Sequence, residues 1–254
     1  MKQIPNLFTL LNLFFGCIAI VFILQNGIRI VSDETGLQMI DIPERIWLGS
    51  LFIGLAGIVD FLDGFVARLF KASSAMGKQL DSLADLVSFG VAPGMIVYQF
   101  LRLSYAGQPD GVEISMLYLL PAFIIPCAAA YRLARFNLDE SQQYGFKGVP
   151  APAAGLLIAS FPLLYWYSHN QMAVDLLQNK WVWYIVIVLV SWLMVSSLPL
   201  MALKFKDFSV KNNLPKIILL VGAIVSALLL GWLAVPVVFI LYIILSLAFK
   251  NKTA

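Results

Sequence analysis

The sequence predicts an all-α polytopic membrane protein, a bundle of about eight transmembrane helices. Three observations carry this. Hydrophobic residues fill 61% of the 254 positions, against roughly 45–50% in soluble domains, and charged residues fill 12%, against about 25%. Mean hydropathy is +0.87. The apolar residues are gathered into runs of about 20, the length at which a helix crosses a bilayer core. A net charge of +3, dispersed along the chain, offers no footprint for nucleic acid.

Taken in order, the runs place spans near 7–25, 46–68, 79–101, 114–132, 150–168, 181–202, 215–231 and 234–249. The first could be mistaken for a signal peptide. It has one early positive charge and a long apolar run, and no small-x-small cleavage site follows, so it is expected to stay as a membrane helix. The last two spans come from one run too long for a single helix, with the Gly and Pro of "GWLAVP" supplying a turn; without that turn the count is seven. No long loop, repeat or low-complexity tract divides residues 1–254, and a single membrane domain is expected. Trp47, Trp166, Trp181 and Trp232 fall near span ends, as interfacial aromatics do.

The distribution of Lys and Arg sets the expected orientation. With the N-terminus cytoplasmic, Arg29, Arg45, Arg102 and Lys180 lie outside and the other thirteen of the 17 basic residues lie inside. Both termini are then cytoplasmic. Cys17 and Cys127 sit apart in apolar runs and read as inert small residues, with no disulfide framework or zinc site. The lone histidine, His169, leaves oxygen as the ligand for any metal.

Against this background the stretch "DFLDGFVARLFKASSAMGKQLDSLADLVSFG", residues 60–90, carries four aspartates. Asp60, Asp63, Gly64 and Ala67 share one stripe of a helix, and Gly77, Asp81, Asp85 and Ser88 repeat the spacing on the next. Counting from a turn near residues 71–74 at ~1.5 Å per residue, Asp63 and Asp81 lie about 10 Å deep and Asp60 and Asp85 about 15 Å. The carboxylates therefore pair by depth across an antiparallel hairpin. Each ionised Asp inside a membrane is costly, and four together repel unless something positive lies between them. An all-oxygen set suits a hard cation, Mg²⁺ or Mn²⁺, and two such ions are a device for phosphoryl displacement. Small residues beside them leave room for a ligand, and Arg68 and Lys78 can take phosphate oxygens at the rim. Intramembrane acids also build proton relays and ion sites in transporters, or structural ion pairs. Spacing alone leaves all three open; no broken helices or paired halves point to a transporter.

The pattern Asp60-x2-Asp63-Gly64-x2-Ala67-Arg68-x8-Gly77-x3-Asp81-x3-Asp85 resembles the full signature of the CDP-alcohol phosphatidyltransferase family, eight fixed residues across 26 positions. The blocks "IPNLFTLLNLFFG", "GKQLDSLADLVSFGVAPG", "YRLARFN" and "FKGVPAPAAG", within residues 4–155, are similar to the membrane-type, serine-accepting branch of that family.

The resemblance implies a six-helix catalytic core, here residues 1–202, with 203–254 as two added helices. It implies a homodimer in the cytoplasmic (inner) membrane with its site facing the cytoplasm. It also implies CDP-diacylglycerol and L-serine as substrates and Mg²⁺ or Mn²⁺, two ions, as cofactor. Asp60, Asp63, Asp81 and Asp85 would hold the metal, with Asp85 also the general base. Asp63, Gly64, Ala67, Arg68, Gly77 and Lys78 would border the CDP-lipid. Arg132, Arg135, Ser88 and Lys147 are candidates for the acceptor or a phosphate; positive-inside anchoring explains the arginines otherwise. Glycerol 3-phosphate or an inositol phosphate is the alternative acceptor. Thr9, Asn12 and Ser82 read equally well as helix-packing polar residues.

Overall fold

The computed structural model describes residues 4–25, 29–32, 38–41, 45–69, 74–106, 114–138, 146–168, 170–201 and 210–249. His169 and the expected turn at 71–73 lie outside these residues. The chain is an all-α membrane protein. Among the described residues, strands form two short antiparallel pairs, β1 (Arg29–Ser32) with β2 (Gln38–Asp41), and β3 (Phe146–Lys147) with β4 (Pro199–Leu200).

Helix α1 (Ile4–Leu24) is apolar around most of its circumference, as a lipid-surrounded helix must be. It packs along α2 (Ile46–Leu69) and also against α3 (Ala75–Asp85). Ser74 starts α3 by accepting the Gly77 N–H at 2.9 Å, the arrangement that satisfies an otherwise orphaned first-turn donor. The helical rod then runs without interruption to Ala106, but not as one regular helix. A π-helical segment, Leu86–Val91, joins α3 to α4 (Ala92–Ala106), and the Ala92 N–H reaches back five residues to the Val87 carbonyl. The single span expected at 79–101 is thus longer, and it contains a widened turn directly after Asp85.

That widened turn lies deep in the bundle. A Cβ on Gly16 of α1 would collide with Ser88 Oγ, and one on Gly155 of α6 (Ala151–Tyr167) would lie 2.8 Å from Phe89 Cα. Backbones approach this closely only where side chains are absent, which is how membrane helices gain dispersion contact without a hydrophobic driving force between them. Phe89 and Phe100 are buried, and Phe100 stacks on Trp183 of α8 (Lys180–Val195) at 4.8 Å between ring centroids. Trp183 Nε1 donates to the Leu177 carbonyl at 2.7 Å, so its polar atom is satisfied in the interior.

The fourth span begins as two 3₁₀ turns, Met116–Tyr118 and Leu120–Phe123, before α5 (Ile124–Leu138); Pro121 and Pro126 remove the N–H groups that a regular helix would need there. A short helix not foreseen from sequence, α7 (Gln171–Leu177), meets α8 at 76°. This is a helix break in a chain where none was expected, but no residue of it lines the aspartate cleft described below. Helix α8 stops at Val195, short of the expected 202, because the chain leaves the helix to form β4. Residues α9 (Val210–Leu230) and α10 (Ala234–Ala248) form a packed helix pair joined by the 3₁₀ turn Gly231–Leu233. Gly231 adopts φ +54, a conformation that costs glycine little, so the expected turn in "GWLAVP" is present. Among the described residues, five stretches are long and apolar enough to cross a membrane, or six with the bent α7–α8 pair; one of the five, Asn213–Ala248, contains both α9 and α10.

Candidate active site

Asp60 and Asp63 on α2 and Asp81 on α3 each turn a carboxylate oxygen into one space, all within 4.8 Å of one another. Asp85, one turn beyond Asp81, interacts with Asp60, so the four acids form a continuous group. The hairpin holding them is more open than expected. Helices α2 and α3 do not pack closely on each other; both lie on α1, and the gap between them is a cleft of about 490 Å³.

Helix α1 supplies the polar partners. The Thr9 hydroxyl donates to Asp63 Oδ2 at 2.9 Å, with the Pro5 carbonyl a second acceptor at 3.2 Å. Asn12 Nδ2 donates to Asp85 Oδ1 at 3.1 Å. Ser88 Oγ in turn donates to the Asn12 backbone carbonyl at 3.0 Å, fixing α1 against the π-helical turn. Asp63, Asp85, Thr9 and Asn12 are all buried.

These groups fit a divalent cation. Every ligand atom offered is a carboxylate oxygen, the hard donor that Mg²⁺ and Mn²⁺ take. Asn12 Oδ1, beside Asp85, is buried with no hydrogen-bond partner, an acceptor left over that a bound cation or its water would satisfy. Three carboxylates held this close without a cation would repel strongly.

The sequence-derived residues divide by location. Asp63, Gly64, Gly77, Lys78 and Asp81 line the cleft. Pro5, Asn6, Ser74 and Ala75 line it too and were not foreseen; Asn6 precedes the apolar part of α1, and its proximity to Gly77 follows only from how α1 docks. Ala67 and Arg68 continue the α2 backbone, and their side chains lie outside the described residues. Lys78 Nζ donates to the Asn137 carbonyl at 2.8 Å, and Asn137 Nδ2 donates to Ser82 Oγ at 2.7 Å, a latch between α3 and the end of α5.

The remaining candidates stand back from the cleft. Ser88 is fully buried in the α1 contact. Arg135 donates to the Val195 carbonyl at 3.0 Å. Arg132 is 3% exposed, its guanidinium carbon 5.2 Å from the Phe136 ring centre, and its Nε has no partner. Lys147 lies in β3.

The signature and its geometry can be set beside known proteins. The sequence model of the CDP-alcohol phosphatidyltransferase family matches residues 2–192. The chain belongs to the CDP-alcohol phosphatidyltransferase family. It is similar to CDP-diacylglycerol–serine O-phosphatidyltransferases of several organisms. The protein of Bacillus subtilis (strain 168) is 33% identical over 171 residues, 65% of this chain and 78% of that protein. The protein of Helicobacter pylori (strain J99) is 35% identical over 162 residues, 63% and 57% of the two chains. That of Mycobacterium tuberculosis (strain H37Rv) is 31% identical over 232 residues, 87% and 75%.

Proposed function

We propose that the protein makes phosphatidylserine, transferring the phosphatidyl group of CDP-diacylglycerol to the hydroxyl of L-serine with release of CMP. The observation that carries this reading is the convergence of Asp60, Asp63 and Asp81 within 4.8 Å in a cleft walled by Gly64, Gly77 and Lys78. Family membership supports the reaction class, and the relatives named for serine as acceptor support the choice of alcohol.

The serine oxygen forms a bond to the β-phosphorus, which bears the diacylglycerol. The bond from that phosphorus to the bridging oxygen breaks, and CMP leaves with the electron pair. Asp85 accepts the hydroxyl proton as attack proceeds, since a free alcohol is a poor nucleophile at neutral pH. Asn12 holds the Asp85 carboxylate in place through Nδ2. Asp60, Asp63, Asp81 and Asp85 would hold Mg²⁺ or Mn²⁺, two ions, with Asp63 oriented by its hydrogen bond from the Thr9 hydroxyl. When bound, the metal neutralises charge developing on the pyrophosphate. Gly64, Gly77, Lys78 and the α2 segment at Ala67 and Arg68 border the CDP group. Arg132, Arg135, Ser88 and Lys147 form the acceptor side. The catalytic unit is residues 1–202, with 203–254 an addition. The enzyme works as a homodimer in the cytoplasmic membrane with both termini and the cleft on the cytoplasmic side. The inside excess of Lys and Arg supports that orientation.

The test is CMP release by purified protein given CDP-diacylglycerol and Mn²⁺ or Mg²⁺, with L-serine, glycerol 3-phosphate and inositol phosphate compared. Serine-dependent, chelator-sensitive release is expected. Release with another acceptor would move the substrate and keep the site; no release with any would remove the enzyme reading.

A further inference from the structure

Outside the aspartate cleft, the bundle contains an apolar cavity of about 300 Å³ between α6, α9 and α10. Pro150, Ala153, Leu156 and Leu157 form one wall. Leu219 of α9 and Val235, Val238, Phe239 and Tyr242 of α10 form the other. The family match ends at residue 192, so this second wall is built wholly from residues beyond it. We propose that this groove holds one acyl chain of the CDP-activated lipid, and that α9 and α10 thereby set which chain lengths are used. The inference rests on the phosphatidyl-transfer reading.

Three observations select an acyl chain as occupant. The groove lies among membrane helices, whose apolar surroundings are lipid tails, and Leu156 at its rim is 39% exposed. The lining is almost entirely carbon, and the one polar group, the Tyr242 hydroxyl, is already committed to the Met201 carbonyl at 3.0 Å. A polar ligand would be left unsatisfied there. The groove also lies close to the reacting end of the molecule, through the contact of one wall residue with α2. Leu156 packs against α2 at Gly57, where an added Cβ would lie 3.6 Å from it. Gly57 precedes Asp60 by three residues and shares its helix face. A lipid with its phosphate at the aspartates can therefore lay one tail along Gly57 and Leu156 into the groove.

Helix α6 thus has two jobs on opposite faces. Gly155 presses on the π-helical turn after Asp85, and Ala153, Leu156 and Leu157 face the tail. A tail long enough to fill the groove gains apolar contact that a short one cannot.

The first experiment uses the full chain in lipid nanodiscs and CDP-diacylglycerol with a diazirine near the end of its tails. Photolysis followed by mass mapping is expected to mark Leu219, Val238 or Phe239, and excess phosphatidylcholine should not reduce the marking. Adducts confined to other residues would overturn the proposal, as would equal marking by diazirine-bearing phosphatidylcholine, which would make the groove a bulk-lipid surface. The second compares CDP-diacylglycerols with two 16-carbon and two 8-carbon tails. Val238→Trp, which fills the groove, should lower the long-to-short ratio of kcat/KM about tenfold and leave the KM for serine unchanged. Val238→Ala should not lower it. An unchanged ratio in a folded Val238→Trp protein counts against the groove, and if that variant does not fold, the photolabelling decides. Absence of CMP release from the unmodified chain would instead strike the reaction itself, which separates the two failures.

Discussion

Asn12 on the first helix donates to Asp85 on the third across 73 positions of sequence, at 3.1 Å, and both residues are buried. The pair ties the proposed base to a helix that contributes no carboxylate. Outer-shell partners of this kind typically govern metal affinity or activity by about 10–100-fold. Asn12→Leu is expected to reduce CMP release by that factor while the protein stays folded. Thr9→Val, which keeps the shape and deletes the hydroxyl bonded to Asp63, should act likewise, and Thr9→Ser should not. Equal activity in Thr9→Val and the unmodified protein, measured at limiting Mn²⁺, would remove Thr9 from the site.

Asp85→Asn keeps the size of the side chain and removes its capacity to take a proton. A positioned base is worth roughly 10²–10⁴-fold in rate, so turnover should fall by that much. Binding of CDP-diacylglycerol, followed by equilibrium dialysis in detergent, should remain measurable. Full synthase activity in this variant would reassign the base.

Bound cation should stabilise the fold, because it relieves repulsion among carboxylates that the unfolded chain does not hold together. At an ion concentration 100 times its Kd the gain is about 2.7 kcal/mol. Thermal unfolding in detergent should therefore shift upward with Mn²⁺ and return on chelation. Asp60→Asn with Asp81→Asn should abolish the shift. A shift that survives the double substitution would place the ion elsewhere.

Gly16 and Gly155 press on the π-helical turn from two sides, with Ser88 and Phe89 backbone atoms at their surfaces. Overpacking a tight interior costs typically 1–3 kcal/mol. Gly16→Leu and Gly155→Leu should each lower the unfolding temperature and reduce turnover, since the turn they displace carries Asp85 at its start. Unchanged unfolding temperature for both would show that the helices can separate there without loss.

The carboxylate group was legible in sequence because helical periodicity alone puts Asp60 with Asp63 and Asp81 with Asp85 on one stripe each, and a short connection brings the stripes together. The spans were legible for a similarly local reason, runs of apolar residues. What sequence could not supply was the helix order. Nothing in "IPNLFTLLN" says that Thr9 and Asn12 face two different aspartates, because that depends on α1 lying beneath both α2 and α3. The π-helical turn at "LVSFGV" was equally hidden, since its composition suits a regular helix and the close approach of Gly16 and Gly155 to it depends on how α1 and α6 dock. Arg132 is not among the residues lining the cleft for a comparable reason: its i, i+3 spacing with Arg135 specifies a shared face, not which neighbour that face meets.

The position of α1 has a consequence for how the protein is made. An 18-residue window of Pro5–Leu24 has a mean hydropathy of 2.6, against 1.7 and 1.4 for such windows in the aspartate-bearing stretches Ile46–Val66 and Ala75–Ala106. The most lipid-soluble of the three is therefore the first to leave the ribosome, and it enters the bilayer with its one threonine and two asparagines still without their later partners. Each aspartate helix that follows is a poorer insertion substrate, yet it arrives beside a helix already carrying a hydrogen-bond donor for one of its acids. Synthesis order and polar pairing thus coincide, and the first segment serves as the template on which the costly ones are received.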